Sequence, residues 1–254
     1  MSYLKRAQAS QKNAKGKAFT VICGRRLSGK TTLAGTLPGT SVLLYNRLKE
    51  SDTECAENLA KKLGHKLHVF NFNTVTGGEL SLDDHLNALA KDTEVDNVYI
   101  DGATSVANIL YDDPQVQVAL EKNVWEGYRM IGDQVCSIIE KAKLLTMSSH
   151  AVKPKNVFIT ASLTTKTDAN GNMLDVKFDI RGQMGITSLT EKAPNVLVIR
   201  DDITDSETGS EVRMMMTRTA NYWPARISGL LGDENPGVMA PDLREFFKLK
   251  GSEV

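Results

Sequence analysis

Residues 24–32 read Gly-Arg-Arg-Leu-Ser-Gly-Lys-Thr-Thr, and no other run constrains the fold of this sequence as much. The spacing is G-x-x-x-x-G-K-[ST], a phosphate-binding loop, and such a loop needs a strand before it and a helix after it. Both flanks comply. Residues 18–23 (Ala-Phe-Thr-Val-Ile-Cys) are apolar and partly β-branched and predict a buried strand. Residues 31–37 predict a short helix, closed by Pro38-Gly39. Gly24 and Gly29 allow backbone angles and close approaches that a Cβ would block. The N–H groups of such a loop converge on a β-phosphate. The expected nucleotide site is therefore Gly24, Arg25, Arg26, Leu27, Ser28, Gly29, Lys30, Thr31 and Thr32. Lys30 is expected on the β- and γ-phosphates and the Thr31 hydroxyl on Mg²⁺, so the expected ligand is a nucleoside triphosphate with its metal.

Beyond the loop, apolar and helical segments alternate. Residues 41–45, 66–72, 97–101 and 156–161 read as strands, and residues 53–63 and 80–91 as helices. A long helical region runs from about 115 to 145. Trp125, Tyr128, Ile131, Val135, Ile138, Ile139 and Ala142 form its expected core stripe. Alternating βα units predict an α/β fold, a mostly parallel sheet flanked by helices with ligands at the carboxyl ends of its strands. After residue 162 the pattern changes. The turn chemistry at 168–172 predicts a hairpin. Segments 195–201 and 211–217 predict a C-terminal antiparallel β extension, and 241–247 a short packing helix.

One domain is expected over 18–250. Before it lies a basic, flexible tail, 1–17, with Lys5, Arg6, Lys12, Lys15, Lys17 and no acid. The 31 basic and 31 acidic residues cancel, which excludes a broad cationic coat but not a local basic groove. No apolar stretch has the length of a membrane span, and the three cysteines show no metal or redox spacing. A cytoplasmic protein with no membrane association is expected.

A carboxylate at the end of an apolar strand should complete the metal site, and Asp101 after Val98-Tyr99-Ile100 fills that place. Thr160, near the end of the fifth strand with Ser162, is placed to sense a γ-phosphate. Glu50 is the candidate for orienting the attacking water, with Asp52 and Glu54 as competitors. Arg218 and Arg226 flank the aromatic pair Tyr222-Trp223. Either arginine could stabilise transition-state charge from its own or a neighbouring subunit, or simply stack on an aromatic ring.

These pieces in this order resemble the RecA-like P-loop ATPase core, and more narrowly the phage nucleotide-binding proteins of the Sak single-strand annealing type. The matching residues are 24–32, Asp101 within 98–105, 156–161, Asp179-Ile180-Arg181-Gly182-Gln183 and 222–226. The resemblance implies ATP and Mg²⁺, single-stranded DNA as partner, and a homo-oligomer with nucleotide between subunits, where an arginine acts on the neighbour's ATP. Two departures stand out. RecA-like enzymes end the second strand in a water-orienting glutamate, whereas here Tyr45-Asn46-Arg47-Leu48 stands there and Glu50 is the nearest glutamate. The 163–181 segment mixes Lys166, Lys177 and Arg181 with Asp168, Asp175 and Asp179, unlike a basic, aromatic-laced groove. Rival readings are a nucleotide-gated assembly protein with slow turnover and a small-molecule kinase. The kinase would want an arginine-rich lid that 163–181 does not supply. Thr165-Lys166-Thr167-Asp168 imitates a guanine-reading motif but lacks its D-x-x-G companion.

Overall fold

Strand β1 (Phe19–Gly24) is buried along its whole length. It runs parallel to both neighbours, β5 (Asn156–Thr167) and β7 (Asn195–Thr204). The computed structural model describes residues 17–46, 53–78, 80–169, 173–182, 189, 191–204, 210–220, 223–230 and 234–251. Beyond β5 lie β4 (Asn97–Asp101), β2 (Thr40–Tyr45) and β3 (Lys66–Asn71), all parallel. The order across the sheet is β3-β2-β4-β5-β1-β7-β8-β9, with β8 (Glu211–Met216) and β9 (Val238–Met239) antiparallel. The sheet is thus mixed but mostly parallel, and with helices on both faces it fits a Rossmann-like α/β architecture.

Adjacent residues of each central strand feed opposite faces, so an unbroken apolar run is what a sheet covered on both sides requires. One face packs Val21, Val98, Ile100 and Ile159 against α2 (Leu82–Lys91), α3 (Ala103–Tyr111) and α5 (Val124–Leu144). The other packs Ile22, Leu43, Tyr99 and Phe158 under a 3₁₀ turn (Thr31–Thr36), Ala56 of α1 (Glu54–Leu63) and α6 (Leu243–Leu249). Among the described residues no helix is long and apolar enough to cross a membrane.

The short helix expected after the loop is present as a six-residue 3₁₀ turn, while other expected elements are corrected. Gly35 lies against the Ala56 carbonyl, and Pro38 follows at once, leaving no room for an α-helix to propagate. The 115–145 region is two helices, α4 (Pro114–Lys122) and α5. Asn123 breaks them with extended backbone (φ −154°, ψ 108°), and its side chain accepts the Trp125 N–H to cap α5. Trp125 and Tyr128 are not core: Trp125 is 83% exposed and Tyr128 is also exposed, while Ile131, Val135, Ile138, Ile139 and Ala142 are buried. At 21 residues α5 is about 31 Å long, whereas a strand of five or six residues covers about 17–20 Å, so its first turns outrun the sheet. Strand β5 is also longer than expected. Its first half lies in the main sheet; its second half leaves it to form a hairpin with β6 (Met173–Phe178).

The entry to β4 is held by charge. Partial burial works to raise the Asp96 pKa, but the Lys153 ammonium at 2.7 Å and the Thr40 N–H outweigh it and hold the carboxyl below its usual value. The Val95 N–H, helped by that of Glu94, does the same for Asp92 against a burial penalty. A carboxylate depressed on folding stabilises the fold above its unfolded pKa, here near 3.8. That contribution is lost as pH falls through the lower folded value. The Asp92→Asn, Asp96→Asn double variant is therefore expected to lose less stability than wild type between about pH 5 and pH 2. Urea midpoints across that range measure it, and equal losses in both proteins would refute it.

Candidate nucleotide site

Gly24 ends β1 at the carboxyl edge of the sheet, opposite Ser162 of β5 and Ile199 of β7. The chain then turns tightly through residues 25–30. Leu27 (φ 63°) and Gly29 (φ 85°) adopt left-handed backbone, with Lys30 right-handed at φ −53°. Left- and right-handed residues in succession turn their N–H groups into one concavity, a nest that binds anions. For Leu27 that conformation costs about 1–2 kcal/mol, and its side chain gains nothing in return, being 90% exposed. Gly24 has no room for a Cβ, which would lie 2.5 Å from Ser28 Oγ and 3.2 Å from the Ile199 carbonyl oxygen. Ser28 is fully buried, and its hydroxyl finds no hydrogen-bond partner among the described residues.

Lys30 folds back over this turn, its Nζ donating to the carbonyls of Gly24 (3.1 Å) and Arg25 (2.7 Å). Below it, Tyr99 of β4 donates its hydroxyl to the Lys30 carbonyl. Burial, and then the negative charge of Asp101, push the Tyr99 phenol well above its ordinary pKa and keep it a donor. Burial likewise pushes up the Cys23 thiol, against the pull of Lys30, so it packs as a protonated core group.

Asp101 ties three elements together. One carboxylate oxygen accepts the Thr31 hydroxyl at 2.5 Å and the other accepts the Thr160 hydroxyl at 2.5 Å. The carboxylate is only 2% exposed. Gly102 follows through a cis peptide and lies against Thr160. Ser162 in turn donates its N–H to Thr104 Oγ1 at the start of α3. The expected loop residues, Asp101 and Thr160 therefore meet at one place. Arg26 is exposed beside them, and Arg25, Thr31 and Thr32 are half-buried.

No protein-family model matches this chain, and no curated protein does.

The two expected arginines lie elsewhere. Arg226 pairs with Val196 near the start of β7, and its guanidinium donates to the Ala193 carbonyl (Nη2 at 2.8 Å), at the opposite end of the sheet from Gly24. Arg218 lies two residues past Met216, which pairs with Val198 as β8 runs toward that same end, and packs near Gly237. Glu50 and Asp52 lie outside the described residues, as does Tyr222. Asn46, after β2, is buried and donates to the Phe72 carbonyl. Among the described residues no group of three or more His, Cys, Asp or Glu side chains is arranged to hold a metal ion. Two residues at the loop gave no sequence signal. Tyr99 reads as one more apolar strand position, and Arg213 of β8 lies against Gly29 from almost two hundred residues away.

Proposed function

We propose that the chain is a Mg²⁺-dependent ATP-binding protein of the RecA-like P-loop type, an ATPase acting with single-stranded DNA in phage-type recombination or replication. One observation carries the nucleotide reading: the Thr31–Asp101–Thr160 linkage beside a nest of left-handed residues capped by Lys30. The parts suit the ligand. Backbone N–H groups and Lys30 offer positive charge to the β- and γ-phosphates. Mg²⁺ takes most of its ligands from phosphates and water, so a hydroxyl from Thr31 and a carboxylate from Asp101 are a sufficient protein contribution. The position of all three at the carboxyl ends of parallel strands supports the reading further.

Single-stranded DNA and the oligomer come from the RecA-like resemblance. Arg218 and Arg226 are remote from the loop of their own chain, so any action on ATP would fall on a neighbouring subunit. A second reading, a nucleotide-gated assembly protein with slow turnover, is favoured by Asn46. It stands after β2 where the resemblance puts a glutamate, and its amide is committed to the Phe72 carbonyl. ATP turnover with and without single-stranded DNA separates the two. The recombination reading expects stimulation of about tenfold or more, equivalent to roughly 1.4 kcal/mol of barrier. Turnover indifferent to DNA, with no DNA retained on a gel, would leave the assembly reading standing alone.

A further inference from the structure

Arg213 lies where a side chain of Gly29 would be. A Cβ built on that glycine would sit 2.6 Å from Arg213 Nη1 and 3.3 Å from its Cζ. The strand pairing helps to bring it there. Between the pairs Arg200↔Met214 and Ile203↔Val212, β7 advances three residues while β8 advances two. The extra residue is a β-bulge opposite Arg213, a device that bends a strand and re-aims the side chain beside it. An exposed strand arginine would ordinarily extend into water. This one is laid across the phosphate loop instead.

The electrostatics need an anion. Arg213 carries a permanent charge and approaches a turn whose N–H groups already face inward, with Lys30 on the same turn. Among the described residues no carboxylate pairs with Arg213. Arg213 and Lys30 bring like charge to one turn, and a polyphosphate placed between them turns that repulsion into attraction. The guanidinium fork is suited to span two phosphate oxygens at once. Resting on the nucleotide reading above, we infer that Arg213 is a phosphate-binding residue of this site, contributed by the same chain and contacting the β/γ end of the triphosphate.

The test is calorimetric titration of the full chain with Mg²⁺–ATP, and with inorganic tripolyphosphate as a base-free probe. Arg213→Ala is expected to weaken both by about tenfold to a hundredfold, as for loss of a hydrogen bond to a charged group. Arg213→Lys is expected to fall between wild type and alanine. Melting temperatures without ligand should match wild type in both variants, because the side chain is exposed. If Arg213→Ala loses its fold, Arg213→Lys and Arg213→Gln carry the comparison. ATP affinity unchanged in the alanine variant, with Lys30→Ala weakened, overturns this proposal alone. So does a loss of ATP affinity with tripolyphosphate affinity intact. A wild-type chain that binds neither probe overturns the nucleotide reading and this inference together.

Discussion

Lys30→Ala is expected to weaken Mg²⁺–ATP binding by about a hundredfold and to remove turnover, the largest effect of any single substitution at the loop. The ammonium bridges the Gly24 and Arg25 carbonyls, which holds it over the nest. Little reorganisation is then required on binding, and preorganised charge is worth more than charge that must be assembled. The same geometry predicts a mild effect on folding. Lys30 is half-buried, so water can replace the ammonium at the two carbonyls, and the stability change should stay within about 1 kcal/mol. Calorimetric titration beside a thermal melt separates the two effects. An ATP affinity within threefold of wild type would falsify the site.

Asp101→Asn is expected to reduce turnover by about a hundredfold to a thousandfold, the range seen when a preorganised electrostatic contact is lost. It should also abolish the dependence of ATP affinity on Mg²⁺. The native carboxylate is buried at 2% exposure and holds a threonine hydroxyl on each oxygen. An amide keeps the shape and one acceptor. One threonine must then rotate its hydroxyl and accept from the new NH₂, which hydroxyls can do. Folding therefore survives at a cost of about 1 kcal/mol, while the negative charge that would draw the metal is gone. Titrating Mg²⁺ against ATP affinity in both proteins is the measurement. A variant whose affinity still rises with Mg²⁺ as in wild type would exclude Asp101 from the metal site.

The local pieces of this molecule were legible because local physics sets them. The loop spacing, the apolar run into Asp101, and the antiparallel pairing of β5 with the nearby β6 all depend on near neighbours in sequence. Strands β7 and β8 were likewise readable as an antiparallel pair. What escaped was set by distance or by length. Trp125 and Tyr128 carry a helical stripe, yet nothing in that stripe says that the sheet ends before the helix does. Asn123 reads as an ordinary polar residue until its side chain is seen capping the next helix. Arg213 belongs to the loop through a strand pairing and a bulge, neither of which leaves a mark on its neighbours. Arg226 stands beside aromatics in the sequence, but only the fold puts its guanidinium on the Ala193 carbonyl, far from the loop of its own chain.

The last helix has a consequence for how the protein is made. The Leu243 N–H donates to Thr36 Oγ1 at the foot of the loop's 3₁₀ turn, and Phe246 and Phe247 close on Phe158. The phosphate loop is translated early, but its footing is complete only once residues 243–247, more than two hundred positions later, have been added. Until then Phe158 and Leu37 lack their cover, and a contact spanning 207 positions is among the slowest kinds to form. Truncation before residue 243 should therefore yield an aggregation-prone fragment.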